Sequence, residues 1–474
     1  MGFGRWFGDT LRRPTRGVRR WITTLVVIAV VGASGGAVVL TSPMLVADLG
    51  PAQPQALEPP SVPQPMLGPL PLDAPLPTTD GLAEALDADA DAIPGRLTGL
   101  VIDPATGTTL WERTPERALV PGSTGKLLTA AAALLTLNPT DTLVTRVVTG
   151  SDPGTVVLVG GGDPTLTALP EGRDGVYPDA PRLEDLATEV RATAKGRITR
   201  VLVDTGRYRG PTVADGWEAA DIPGGFVAPI EPLMLDGGRT DPAVADSSRV
   251  RDPAAAAGRA LAEELGVDPD KVEEGTAAPD AERLGAVSSA PVAELVEHLM
   301  RSSDNVLAEV LAREVALARN GAPTFTGAAE QILAALAQAG FDPSGAVLVD
   351  GSGLSTEDQV PARLLGSLLA AVAAPAQGAR DTDFLRPIIT GLPVAGGDGT
   401  LDDRFGSDAR SASGRGVVRA KTGTLTGVSS LAGVVIDTDG RLLVFALMSN
   451  GASPATVRPR LDAMAAELSR CGCR

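Results

Sequence analysis

The chain has one histidine and two cysteines in 474 residues, and only 3% of its residues are aromatic. The single histidine, His298, lies in an apparent helix, AELVEHLM, so a serine–histidine–carboxylate triad would hang on one badly placed residue. No His/Cys cluster has metal-ligand spacing, and no phosphate-cradling glycine loop is present, so metal and cofactor are both expected to be absent. Cys471 and Cys473 sit together in the terminal CGCR. They read as a tail with no role in the fold, because a bridge across one residue is strained and no redox motif accompanies them. With few rings available, the core must rest on Ala, Val and Leu. Lysine is also scarce: Lys126, Lys195, Lys271 and Lys421 are the only four, and arginine supplies almost all the positive charge.

What is present sets a broad class. The composition is 43% hydrophobic and 21% charged with a net charge of −17, and the length fits about two or three domains. Six arginines stand among the first twenty residues against Asp9 alone, so the remainder is more acidic than the total implies. That balance argues against nucleic acid as a partner. Trp21 to Leu40 form an almost uncharged apolar run, and twenty helical residues span roughly 30 Å, the thickness of a hydrocarbon core. Arginines on its N-terminal flank place residues 1–20 in the cytoplasm and the body outside. The run reads as a membrane anchor or, alternatively, a cleaved signal sequence that would release the body to the cell wall. Ten prolines between 51 and 80 make a semi-rigid spacer.

Beyond the spacer, Leu97 to Asp103 and Thr108 to Arg113 read as strands joined by a turn at Pro104 to Gly107. A helix opens near Ser123 and closes before Asn138. A mixed region follows, with strands at Thr155 to Val159 and Thr199 to Asp204 and helices near Leu183 to Arg191 and Pro253 to Leu265. From Pro291 to Ala318 the pattern is helix, SDN, helix; then come the strand GVVRAKTG and a hairpin of two apolar runs, Val428 to Asp437 and Arg441 to Asn450. The two ends of the chain thus supply an antiparallel sheet and the middle supplies helices.

Two of the four lysines fall in the words STGK and KTG, and one of the four asparagines falls in SDN. Ser123 and Lys126 are one helical turn apart on one face, so the amine reaches the hydroxyl. The electropositive helix start, and Lys421 if the fold brings it close, would depress the Lys126 pKa until the amine serves as base. The backbone N–H of Ser123 is a first oxyanion donor. Each word alone is weak, since Ser303 also fits a helix cap and KTG a strand end; in this order and on these elements the three together are far more specific.

The set S-x-x-K, S-D-N and K-T-G is the signature of penicillin-binding proteins and class A β-lactamases. PGSTGKLLTAAAALL, GGGDPTL, SSDNVLAE, DGSGLS, GDGTL and KTGTLTGVSSLAG narrow this further. Over residues 95 to 450 the chain resembles the class C low-molecular-mass penicillin-binding proteins, the DacB-type D-alanyl-D-alanine carboxypeptidases/endopeptidases. The resemblance implies an α+β/α fold: a split transpeptidase/β-lactamase-like domain, with an antiparallel sheet and an all-helical part, interrupted by a mixed α/β insert. The corresponding segments are 1–20 (basic), 21–41 (anchor), 42–80 (linker), 81–150 (first half), 151–284 (insert), 285–466 (second half) and 467–474 (tail). It implies that Ser123 attacks the D-Ala–D-Ala carbonyl of peptidoglycan stem peptides, that β-lactam antibiotics acylate the same serine, and that Ser303 and Asn305 shuttle protons and hold the substrate amide. Lys421 would supply positive potential, and Thr422, Gly423 and Thr424 would form the substrate-binding strand, with the two hydroxyls on the terminal carboxylate and the Thr424 N–H as second oxyanion donor. Gly122 and Gly125 depart from the family pattern beside the catalytic pair, and Gly125 is expected to loosen it. GGGDPTL and DGSGLS read as tight turns that shape the fold. A serine β-lactamase would lack the insert, anchor and spacer and would carry an E-x-x-L-N motif not found here; a non-catalytic wall or division scaffold would have no need of the five polar residues.

Overall fold

The computed structural model describes residues 70–71, 73–374, 382–407 and 409–474. The expected basic segment, the apolar run and most of the Pro-rich linker lie outside the described residues. The first described helix, α1 (Thr79–Asp91), is capped by Thr78, whose hydroxyl accepts from Gly81 N at 3.1 Å. Two strands follow, β1 (Arg96–Asp103) and β2 (Thr108–Arg113), and then α2 (Lys126–Thr136). The insert contributes β3 (Val144–Thr149), β4 (Thr155–Val159), α3 (Leu183–Thr193), β5 (Arg200–Asp204), α4 (Pro253–Glu264), β6 (Glu273–Glu274) and β7 (Arg283–Ser288). Helices α5 (Val292–Ser302), α6 (Asn305–Ala318), α7 (Phe325–Gln338) and α8 (Ala362–Ala373) precede β8 (Arg419–Leu425), β9 (Val428–Ile436), β10 (Leu442–Asn450) and the closing helix α9 (Pro454–Arg470).

The two ends of the chain do meet in one sheet, ordered β8-β9-β10-β1-β2 and antiparallel throughout. Its central strands are apolar on both faces because both faces are covered. Successive side chains point to opposite sides of a strand, so Ala432 and Val434 enter the core shared with α8. Leu431 and Val435 enter the core shared with Leu82 and Leu86 of α1 and Leu461 and Met464 of α9. Behind the sheet, α2 is buried from Lys126 through Leu134 among α5 to α8. Its run of alanines lets neighbouring helices approach closely, which is how a core with so few rings is filled.

Three boundaries differ from expectation. The insert's sheet, ordered β6-β5-β4-β3-β7, begins at Val144 and ends at Ser288, because β3 pairs with both β4 and β7; the expected limits of 151 and 284 cut through it. The last residues of the proline-rich stretch are packed on the body: Ala74 O accepts from Arg441 Nη1 at 3.1 Å, and Arg441 is held by Asp103 through two further bonds of 2.8 and 2.7 Å. Finally, Cys471 and Cys473 form a disulfide, Cys471 is buried against α1 and α9, and Cys473 O accepts from Thr78 N at 2.7 Å. The C-terminal residues therefore belong to the fold.

Candidate active site

The approach of three separate segments creates the site. PGSTG forms a single 3₁₀ turn, Gly122–Gly125, feeding α2; this brings Lys126 Nζ to 2.9 Å from Ser123 Oγ. Gly125 does not loosen that contact, since it sits in ordinary helical conformation. Gly122 has φ +54, a left-handed conformation that favours glycine. Across from it runs β8, the edge of the sheet. A Cβ on Gly423 would lie 2.2 Å from Ser430 Oγ, 2.5 Å from Pro121 O and 3.0 Å from Ser123 N. Only glycine lets this strand come so near Ser123.

The third segment is the corner between α5 and α6. Ser303 ends α5 in left-handed conformation (φ 62) and Asp304 caps α6 by accepting from Leu307 N at 2.9 Å. The turn aims two side chains at the two lysines. Lys421 Nζ donates to Ser303 Oγ at 2.8 Å and to Thr422 O at 3.0 Å. Lys126 Nζ donates to Asn305 Oδ1 and, at 2.8 Å, to Ser352 O. The Asn305 amide is oriented by its own Nδ2, which donates to Phe226 O of the insert at 3.0 Å.

These contacts aim the amine. Asn305 Oδ1 and Ser352 O can only accept, so they take two N–H bonds of Lys126. A neutral NH₂ then has its lone pair left for the third neighbour, the Ser123 hydroxyl. Both lysines are fully buried. Burial pushes the Lys126 amine down to about 8, while carboxylates led by Asp350 and Glu309 pull the other way. Burial, not the helix start or Lys421, is therefore the leading cause, which corrects the expectation from sequence. Lys421 is itself driven well below the ordinary lysine value, by burial first and the charge on Lys126 second. The clearest geometric feature of Lys421 is its grip on Ser303.

DGSGLS is more than a turn. Its Ser352 carbonyl holds Lys126, and Asp350 accepts from Gly353 N at 2.6 Å, Ser355 N at 2.7 Å and Trp217 Nε1 at 2.8 Å. Glu309 accepts from Gly351 N, and burial raises its carboxyl to about 8. Asp350 opens the word and folds its backbone, whereas Glu309 is not evident from sequence because a Gly-rich word says nothing about which acid of a distant helix it receives. GGGDPTL stays a structural turn: the Asp163 carboxylate caps its own Thr165 at 2.8 Å. His298, half-buried, has its ring 5.3 Å from that of Tyr177.

A cleft of about 820 Å³ opens over these groups. Ser123, Ser303, Asn305, Thr400 and Thr424 line it together with Val176, Asp221, Phe226 and Arg239 of the insert. Thr424 is exposed, but Thr422 is buried and donates to Thr400 Oγ1 at 2.8 Å. Thr400, from GDGTL, thus stands at the cleft surface where Thr422 was expected.

Residues 80–247 and 243–471 match the model of the D-Ala-D-Ala carboxypeptidase 3 (S13) family. Carboxypeptidase DacB of Mycolicibacterium smegmatis is 47% identical over 421 residues, covering 88% of this chain and 89% of that protein. A carboxypeptidase of Mycobacterium tuberculosis is 46% identical over 400 residues, 84% of this chain and 85% of the other. Penicillin binding protein 4 (dacB) from Haemophilus influenzae, 20% identical, superposes with a TM-score of 0.66 over 84% of this chain and 100% of its own; the same protein has been solved with a β-lactam bound, at a TM-score of 0.59, 20% identity and the same coverage.

Proposed function

This chain belongs to the D-Ala-D-Ala carboxypeptidase 3 (S13) family, and on that premise we propose that it cleaves the terminal D-Ala–D-Ala bond of peptidoglycan stem peptides through an acyl-enzyme on Ser123. Neutral Lys126 takes the Ser123 proton as Oγ attacks the penultimate D-Ala carbonyl. The tetrahedral oxyanion is received by the N–H groups of Ser123 and Thr424. As the C–N bond breaks, the leaving D-Ala nitrogen gains the proton, relayed from Lys126 through the Ser303 hydroxyl, which Lys421 holds in place. Asn305 and the β8 edge hold the acyl peptide, and Thr400 and Thr424 face its terminal carboxylate. Water, deprotonated by Lys126, then hydrolyses the ester and returns Ser123. A cross-link between stem peptides presents the same acyl donor, so endopeptidase cleavage follows the same steps. In a β-lactam the leaving nitrogen stays tethered to the acyl group, blocks the water and leaves a long-lived adduct. The observation that carries this reading is the 2.9 Å contact between Ser123 and a lysine amine brought down to about 8.

We further propose that the catalytic body lies outside the cytoplasm: arginines ahead of the apolar run at Trp21 to Leu40 support a membrane anchor or a cleaved signal sequence, with the remainder of the chain exported in either case. Among the described residues no helix is long and apolar enough to cross a membrane.

Treatment with a penicillin followed by proteolysis and mass spectrometry should place one adduct on the peptide containing Ser123, and a disaccharide-pentapeptide substrate should release free D-Ala. An unmodified Ser123 would contradict the acyl-enzyme. Rapid turnover of nitrocefin without a stable adduct would instead mean a β-lactamase.

A further inference from the structure

The middle residue of SDN has a set of partners that the acyl-transfer steps do not use. One oxygen of Asp304 caps α6, and the other accepts from Arg239 Nη2 at 2.8 Å and from Tyr177 Oη at 2.9 Å. Both partners come from loops of the insert, and the Arg239 and Asp304 side chains are only 4% and 2% exposed. Arg239 is aimed by the insert's own backbone: Nε donates to Ala245 O at 3.0 Å and Nη1 to Asp236 O at 3.0 Å. Its guanidinium lies 5.0 Å from the centre of the Tyr177 ring. Arg249 stands beside it, donating to Gly225 O at 2.7 Å and Gly237 O at 2.7 Å. These arginines hold the Asp304 carboxyl far below the usual carboxylate range although burial opposes this.

Asp304 lies between the two residues that face the lysines. Ser303 keeps a left-handed backbone, uncommon for a residue with a side chain and of the kind retained only when surroundings over-determine it. Asn305 leans on the insert as well, through Phe226 O. We propose that Arg239, seconded by Tyr177, is a positioning residue for acyl transfer: by gripping Asp304 it holds Ser303 against Lys421 and Asn305 against Lys126, so the insert is part of the catalytic apparatus as well as a wall of the cleft. The inference rests on the acyl-enzyme reading above.

The test uses the full chain and a fluorescent penicillin, with the acylation step resolved by its concentration dependence from the non-covalent binding that precedes it. Arg239→Gln should lower the limiting acylation rate about 10- to 100-fold, the scale of an ångström's misplacement of reacting groups, with the half-saturating concentration little changed. Tyr177→Phe, which removes one hydroxyl and should fold normally, should lose about 3- to 10-fold. Leu186→Ala in the insert core, where Leu186 is fully buried, is the comparison: it lowers the melting temperature without touching the clamp and should acylate at the wild-type rate. In Asp304→Ala, which leaves neither Arg239 nor Tyr177 an acceptor, the clamp is already broken, so adding Arg239→Gln should cost little more. Wild-type rates in both Arg239→Gln and Tyr177→Phe, losses that simply follow melting temperature through Leu186→Ala, or full additivity with Asp304→Ala would each overturn the proposal. Wild-type protein that takes no label would instead refute the acyl-enzyme reading and is recognised in the same experiment.

Discussion

Lys126→Met should reduce the rate of penicillin acylation by about 10³- to 10⁴-fold while Ser123 remains in place. Methionine keeps the length of the side chain and its burial but cannot accept a proton, and a positioned general base contributes about 10²- to 10⁴-fold. The upper part of that range applies because, among the described residues, the other basic side chains of the region are turned elsewhere: Lys421 donates to Ser303, and His298 is packed beside Tyr177. Lys126→Arg sharpens the test. Arginine retains the positive charge and can donate to Ser352 O and Asn305 Oδ1, yet it does not give up its proton near neutral pH. If proton acceptance is the role of Lys126, both variants fail alike in stopped-flow labelling. Substantial activity in Lys126→Arg alone would mean that charge, not basicity, is what the site requires.

Gly423→Ala should cost about 10²- to 10³-fold in the same assay, the loss associated with a displaced oxyanion donor. The added methyl would sit 2.5 Å from Pro121 O and 3.0 Å from Ser123 N, both backbone atoms that cannot rotate aside. The β8 edge must move outward, and the Thr424 N–H moves with it. Relief of the Ser430 contact alone does not restore the fit, so Gly423→Ala/Ser430→Ala should remain as slow as Gly423→Ala. Melting temperature checks that the sheet survives: among the described residues β9 is the one strand that β8 pairs with, and on its other side only Arg419 and Ala420, at its start, bond to Val394 and Pro393, so the Gly423 end can shift without breaking the core. A Gly423→Ala protein that acylates at the wild-type rate would show that the close approach of strand and nucleophile is not needed.

The legible part of this protein was local. Strand and helix periods placed β1, β2, α5, α6 and the β9–β10 hairpin to within a residue or two, and the rarity of lysine drew attention to Lys126 and Lys421. Chain spacing carried the i+3 contact of Ser123 with Lys126 because a helical turn is a local object. Contacts across long separations were not legible. Nothing in DGSGLS announces that Ser352 offers a carbonyl to an amine 226 positions earlier, and nothing near Arg239 or Tyr177 announces Asp304. The origin of the low Lys126 pKa was hidden for the same reason. Desolvation is a property of the packed interior, whereas a helix start and a second lysine can be read from the sequence. The end of the proline-rich stretch and the two-cysteine segment look unrelated in the sequence, although Thr78 of the one donates to Cys473 O of the other.

The central claim concerns one proton, and the scarcity of lysine makes it directly observable. A protein labelled with ¹³C at the lysine Cε has only four signals to follow by NMR, and the one missing in Lys126→Arg is that of Lys126. Titrated with pH, it should change shift with a midpoint near 8; a midpoint at the ordinary 10.5 would leave Ser123 without its base at neutral pH and contradict the mechanism.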